Sequence, residues 1–326
     1  MARILRPYKH GVMMIAAAID IGTNSVKLVV GETDPAGEAR LLREDVLITR
    51  LGENLDATGL LGRDGLRRTL EGVRGLVEQA RAAGATTVRA VATSAMRDAA
   101  NRDDFVRAVK GNAGIEIEVL SGQEEARLAR SAVVLDPVLG SYRGEQVTVD
   151  VGGGSTEFTF GQAAASLDLG AVRLHERFIK CDPPSPEEVE SAAAFAEDVL
   201  KMASLNARDA RMVGMGGSVV NIARMLGGVP CEEYAQVHGS ALTASDIRRM
   251  IERLASLKIE QRRSMAGLDP ERADIILTGA IILGAVLRVM EKQEMVVSVR
   301  GLRHGVLYEM LGVTRWAFSS AAEDCY

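Results

Sequence analysis

One six-residue pattern occurs twice, and it limits the possible folds more than any other feature of the chain. Asp20-Ile21-Gly22-Thr23-Asn24-Ser25 and Asp150-Val151-Gly152-Gly153-Gly154-Ser155 share the form Asp-aliphatic-Gly-x-x-Ser. Each ends one apolar, β-branched run and precedes another: 15–21 before 26–31, and 147–151 before 156–160. A strand, a tight Gly-containing turn and a second strand make a hairpin. Two copies of one hairpin imply two similar domains. At 326 residues the chain is long enough to bury two cores.

The patterning around the two hairpins supports an α/β fold. A third run at 42–49 follows the turn Asp34-Pro35-Ala36-Gly37-Glu38. Leu66, Leu70, Val73, Val77 and Ala80 then recur at steps of three and four, predicting an amphipathic helix that ends near Gly84. A strand at 88–92 precedes a helix with Asn101 as N-cap, Phe105, Val106 and Val109 inside and Gly111 after its end. A strand at 115–120 and a helix from Gly122 complete the order βββαβαβα. The second half repeats the opening, with a third short segment near 166–169. Helices are predicted from Ser185-Pro186, where Glu188 closes a capping box, and near Gly217, Thr243 and Asp269-Pro270. A strand at 296–299 and a helix from about Leu302 follow. The turn-rich stretch 134–146 separates domains at 14–135 and 136–326, and the last helix has the option of packing back on the first domain.

Composition excludes several functions. Lys plus Arg number 39 and Asp plus Glu 44, a net charge of −5 spread over both halves, so neither half is a basic DNA- or RNA-binding surface. The apolar run 275–287 is short of the roughly 20 residues that span a bilayer and reads as a buried helix. The basic opening segment meets Asp20 too soon for a signal peptide. Cys181, Cys231 and Cys325 show no CxxC spacing, which suits a reducing, cytoplasmic compartment. His10, His175, His238 and His304 lack metal-ligand spacing, and no GxSxG occurs, so zinc and Ser-triad chemistry are not expected.

The remaining candidates concern anions. A strand ending in Asp and turning on Gly leaves backbone N–H groups and a hydroxyl aimed at one point, which is how a phosphate nest is built. Asp20 and Asp150, at the two strand ends, suit Mg²⁺ held through water. Either motif alone reads better as an ordinary hairpin whose Asp caps its own turn; the duplication reverses that and favours the nest. Gly214-Met215-Gly216-Gly217-Ser218 opens a further helix at a position fit for an anion, or for close strand-to-helix packing. In Ser121-Gly122-Gln123-Glu124-Glu125 the capping box engages Glu124. Glu125 points elsewhere and is the candidate catalytic carboxylate, with a helix-dipole role as the alternative. Arg97 follows a strand end, placed to pair with phosphate or to form an ion pair with Asp98 or Asp103.

Asp20-Ile-Gly-Thr-Asn-Ser25, Thr93-Ser94-Ala95-Met96-Arg97, Ser121-Gly-Gln-Glu-Glu-Ala126, Asp150-Val-Gly-Gly-Gly-Ser-Thr-Glu157, Gly214-Met-Gly-Gly-Ser218 and Gly301-Leu302-Arg303 occur in the order seen in the exopolyphosphatase and guanosine pentaphosphate phosphohydrolase (Ppx/GppA) family. The sequence resembles that family over roughly residues 14–312. The resemblance implies a two-domain actin-like ATPase fold of duplicated ribonuclease H-like domains with an interdomain cleft. It also implies Mg²⁺-dependent hydrolysis of a terminal phosphoanhydride, and a homodimer.

Carried over by motif, Glu125 is the general base, Asp150 and Glu157 are acidic partners for metal or water, and Ser155 sits beside the phosphate. Thr23, Asn24, Ser25, Gly152, Gly153 and Gly154 cradle phosphates together with Gly216, Gly217 and Ser218. Arg97 holds the anionic chain, and Asp20 joins the metal ligands. Ser218 stands where Thr is usual, and His304 where relatives commonly carry Glu. Without the C-terminal helical domains of the long exopolyphosphatases the chain resembles the short form, so short-chain inorganic polyphosphate is the expected substrate. The alternatives are pppGpp 5′-phosphohydrolysis with the same site, a phosphotransferase of the sugar-kinase type, and a non-catalytic polyphosphate or alarmone sensor.

Overall fold

A computed structural model describes residues 14–33, 39–203, 207 and 209–313. The predicted turn at 34–38, the opening segment 1–13 and Cys325 lie outside the described residues. The first lobe runs β1 (Met14–Ile21), β2 (Ser25–Thr33), β3 (Ala39–Ile48), α1 (Leu55–Thr58), α2 (Arg63–Ala82), β4 (Thr87–Ala92), α3 (Ser94–Asp98), α4 (Arg102–Ala113), β5 (Ile117–Val119) and α5 (Gly122–Val134). The second runs β6 (Gln146–Val151), β7 (Thr156–Phe160), β8 (Ala163–Leu167), α6 (Ala171–Phe178), α7 (Pro186–Met202), β9 (Arg211–Met215) and α8 (Gly217–Gly227). It closes with β10 (Ala241–Thr243), α9 (Ala244–Ala255), α10 (Ile259–Arg263), α11 (Ile276–Val289), β11 (Glu294–Val297) and α12 (Leu302–Leu311).

The two lobes repeat one sheet. The first has the order β3-β2-β1-β4-β5, with the first three strands antiparallel and β4 and β5 added parallel to β1. The second contains the same unit as β8-β7-β6-β9-β11, extended by an antiparallel β10. This duplicated α/β architecture is the actin-like one that the resemblance implied. Each core follows from the sheet: Ile19, Ile21, Val26 and Leu28 meet Val73, Leu76 and Phe105 in the first lobe, while Val147, Val149 and Phe158 meet the apolar α11 in the second. The remaining face of the first sheet is covered by α5 and α12, through Leu128, Ala132, Val306, Leu307 and Tyr308. Among the described residues no helix is long and apolar enough to cross a membrane.

Local differences from the sequence reading have physical causes. Helix α4 runs through Gly111 to Ala113, because Gly114 adopts the left-handed cap at φ 68° and donates to the Lys110 carbonyl. Asn101 does not cap α4 with its side chain. Its amide instead bridges to the backbone N–H (2.9 Å) and carbonyl (3.1 Å) of Leu61, a tertiary contact that local pattern does not reveal. Asp269-Pro270 starts a single 3₁₀ turn, Pro270–Arg272, and the buried helix begins only at Ile276. The strand expected at 296–299 is shifted to Glu294–Val297, and the segment near 166–169 to Ala163–Leu167.

Candidate active site

The two hairpin turns close in the same way. The N–H of Gly22 donates to the Ser25 carbonyl, and that of Gly152 to the Ser155 carbonyl, each at 3.0 Å. They face one another across the cleft at contact distance. A Cβ on Gly153 would lie 3.2 Å from Thr23 Cβ, and one on Gly154 would lie 2.6 Å from Ser94 Oγ and 2.7 Å from Thr23 Oγ1. A side chain at either position would require Thr23 or Ser94 to shift, so glycine suits this approach of backbone to opposing side chains.

Between the turns lies a narrow space of about 60 Å³, on the scale of one phosphoryl group. Thr23, Asn24, Ser25, Gly152, Gly153, Gly154 and Ser155 line it from the two hairpins, joined by Gly216, Gly217 and Ser218 at the start of α8. Asp20, Asp150, Glu125 and Glu157 also border this space. Gly216, at φ 97°, brings the third loop against Asp150, since a Cβ there would lie 2.8 Å from Asp150 Oδ1. The N-terminus of α8 thus points its free N–H groups at the same point as the hairpins.

Glu125 reaches the cleft because of the capping box. Ser121 Oγ accepts from the Glu124 N–H at 3.3 Å, and Glu124 Oε2 accepts from the Ser121 N–H at 3.0 Å. That reciprocal pair fixes the first turn of α5 and leaves Glu125, 8% exposed, pointing inward. Glu125 is nevertheless not unpartnered. Arg97 Nη1 donates to its Oε2 at 2.6 Å and to the Leu120 carbonyl at 3.1 Å, while Arg97 Nη2 stands 3.8 Å from Glu157. Arg97 does not line the phosphate space: the structure turns it onto the acids instead of toward a chain. Burial and the neighbouring Glu157 push the Glu125 carboxyl well above the usual range, against the pull of Arg97. Burial and Asp150 raise Glu157 likewise, although Ser166 Oγ donates to its Oε1 at 2.7 Å.

The repeat is symmetric in backbone and asymmetric in charge. Opposite Asp20 in the hairpin register stands Lys27, and opposite Asp150 stands Glu157. Lys27 Nζ lies 3.0 Å from Asp20 Oδ2. Although its backbone is paired within the sheet, the Asp150 carboxylate accepts no hydrogen bond and forms no ion pair among the described residues. Burial, with Asp20 nearby, raises its pKa to about 6, with Lys27 and Arg303 opposing. A carboxylate facing a phosphate nest without a protein donor fits a hard cation. Mg²⁺ characteristically takes one or two carboxylates and completes its shell with phosphate oxygens and water. Among the described residues no three acidic, His or Cys side chains cluster as metal ligands. Asp150 is the carboxylate that could hold such a cation without giving up a protein partner; Asp20, held by Lys27 through Oδ2, and Glu157, held by Ser166 through Oε1, each keep a second oxygen that could join it.

The sequence matches the Ppx/GppA phosphatase family over residues 18–314. The chain belongs to this family. A curated relative, exopolyphosphatase 2 of Mycobacterium tuberculosis, is 33% identical over 315 residues, covering 91% of this chain and 98% of that one. Exopolyphosphatase 1 of Mycobacterium bovis is 27% identical, over 91% of this chain and 88% of its own length. Among solved structures, the Ppx/GppA enzyme of Aquifex aeolicus superposes with a TM-score of 0.75 at 33% identity, over 91% of this chain and all of the other. Membership in the Ppx/GppA family makes the chain a phosphohydrolase.

Lys27 and Arg272 line the cleft of this Ppx/GppA member without having been singled out in the sequence. The register of the first hairpin, which places residue 27 across from Asp20, was the available signal for Lys27; Arg272, arriving from a 3₁₀ turn, offered none. His304, the departure after Gly301-Leu302-Arg303, is 1% exposed and works structurally. Its Nε2 lies 2.8 Å from Glu44, and its Nδ1 accepts from the Gly301 N–H at 3.2 Å. Burial holds its pKa down to about 4 despite Glu44, so the ring stays neutral and braces α12 against β3.

Proposed function

We propose that this protein is a Mg²⁺-dependent exopolyphosphatase that releases terminal orthophosphate from short-chain inorganic polyphosphate. The observation that carries the reading is the convergence of both hairpin turns, the α8 N-terminus and Glu125 on one space the size of a phosphoryl group. Beyond that space lies a cavity of about 450 Å³, which shares Asp20, Lys27, Asp150, Gly216, Gly217, Arg272 and Leu302 with it but contains neither Glu125 nor Glu157. Glu125 and Glu157 on the one hand and the large cavity on the other therefore stand toward different ends of the phosphate site. This is the arrangement an in-line displacement needs, with the nucleophile at one end and the leaving chain at the other.

In the reaction, Glu125 accepts a proton from a water whose oxygen bonds to the terminal phosphorus. The bridging P–O bond breaks, and its electron pair leaves with the shortened chain. Backbone N–H groups of the two turns and of α8 neutralise charge on the equatorial oxygens, with Lys27 adding a positive charge at the leaving end. When bound by Asp150 and Asp20, Mg²⁺ would polarise the phosphoryl group. Arg97 aims Glu125 and opposes, without overcoming, the rise in its pKa that burial and Glu157 cause.

A second reading has one observation in its favour. The large cavity carries apolar surface from Val46, Val220, Pro270 and the Tyr234 ring, and it has room for a nucleoside, as hydrolysis of pppGpp requires. Chromatography of products from tripolyphosphate, longer polyphosphates of defined length and pppGpp decides between them. The proposal expects orthophosphate release from short polyphosphate, lost with a chelator and restored by Mg²⁺. It also expects at least a roughly hundredfold loss in Glu125→Ala while substrate still binds. Faster turnover of pppGpp would reverse the order, and full activity in Glu125→Ala would reject Glu125 as the base.

A further inference from the structure

We infer that Arg173 is the stop that makes the cleft blind and thereby restricts attack to the end of a chain. Two cavities that adjoin the phosphate space among the described residues differ in kind. On one side it opens into the cavity of about 450 Å³. On the other it meets a residual gap of about 10 Å³, lined by Thr23, Gly52, Asp56, Ser94, Gly154 and Arg173 among others. The gap shares Thr23 and Gly154 with the phosphate space and no residue with the large cavity, so the two lie on different sides of the clamp.

The small side is closed by bonds between the lobes. Arg173, in the first turn of α6, donates from Nε to the Gly154 carbonyl at 3.0 Å. Its Nη2 donates to Asp98 at 2.8 Å and its Nη1 to Asp56, both in the first lobe. Each face of the guanidinium fork is thus engaged, and the side chain is 19% exposed. The same edge is fastened by the Asn54 N–H on Glu176 Oε1 at 2.8 Å, by Arg50 on Asp274, and by Arg50 Nη2 on the Glu271 carbonyl at 3.0 Å. A guanidinium with paired carboxylates is a strong plug, because the planar donors match both acids and the Gly154 carbonyl at once. A polyphosphate entering from the large cavity can present its last phosphoryl group to the clamp and go no further. For a chain threaded along this line from the large cavity, an internal phosphoryl group reaches Glu125 only if the rest of the chain passes the position of Arg173.

The inference rests on the polyphosphate reading, and one experiment separates their failures. Polyphosphate is prepared with a bulky amine coupled to both terminal phosphates, and its cleavage is compared with that of the uncapped chain. The wild type should hydrolyse the uncapped chain and leave the doubly capped one intact. Arg173→Gly should cut capped chains at least tenfold faster than the wild type, giving fragments that each keep one cap, and Arg173→Lys should restore end-only release. If Arg173→Gly does not fold, Asp56→Ala combined with Asp98→Ala removes two of the three partners that hold the guanidinium, leaving only the Gly154 carbonyl, and should open the same path. Loss of stability alone creates no new product. Cleavage of doubly capped chains by the wild type overturns the inference. So does a folded unplugged variant that still hydrolyses uncapped chains and spares capped ones. A wild type inert toward uncapped polyphosphate overturns the reading beneath it, and the inference falls with it.

Discussion

Replacing Arg97 by methionine removes a charge and keeps most of the side-chain volume. In the structure that charge stands 2.6 Å from Glu125 and 3.8 Å from Glu157, and both carboxyls already sit above their usual range through burial. A cation this near lowers a carboxylate pKa by about 1–3 pH units, so its removal should raise the acidic limb of the rate profile by a similar amount. At pH 7 the rate should then fall by about ten- to a thousandfold, since each pH unit is tenfold in the ionised fraction. The assay is orthophosphate release from tripolyphosphate between pH 5 and 10, analysed as kcat/KM. The distinguishing result is recovery: activity of Arg97→Met should return as the pH rises. A profile with an unmoved limb, or a loss equal at every pH, would refute the role assigned to Arg97.

Three further outcomes are expected. Asp150 has a folded pKa near 6 against an ordinary 3.8, so the folded protein binds its proton more tightly and loses stability as the pH rises through that interval. Asp150→Asn should therefore stabilise the metal-free protein by about 1–2 kcal/mol at pH 7.5 and hardly at pH 4, a difference that thermal melts at the two values would show. Gly154→Ala places a methyl 2.6 Å from Ser94 Oγ and should force the lobes apart, costing about 1–3 kcal/mol and raising KM more than it lowers kcat. Ser121→Ala loses half of the capping box under Glu125 and should cost about 1 kcal/mol in denaturant melts, with a larger loss in kcat than in substrate binding.

The features legible in the sequence are those whose chemistry is local. A Gly turn behind a strand-end Asp needs only six residues, and both hairpins form where the repeat placed them. The Ser121 capping box likewise determines by itself that Glu124 turns back and Glu125 does not. What escaped depends on distant partners. Arg97 faces Glu125, 28 residues away, and its neighbour in sequence Asp98 is held by Arg173, 75 residues away. Asn101 resembles an N-cap in composition, yet the Leu61 backbone takes its amide. Helix α6, which supplies Arg173, is only eight residues long and follows Gly170, whose absent Cβ would lie 2.3 Å from the Gly153 carbonyl oxygen. Its placement is dictated by the opposing loop more than by its own periodicity.

The central claim is that a water molecule aimed by Glu125 attacks the terminal phosphorus. Hydrolysis of tripolyphosphate in ¹⁸O-labelled water, with mass analysis of both products after one turnover, tests it directly. The account predicts one labelled oxygen in the orthophosphate and none in the pyrophosphate. Label in the pyrophosphate would place the attack on the wrong phosphorus and contradict it.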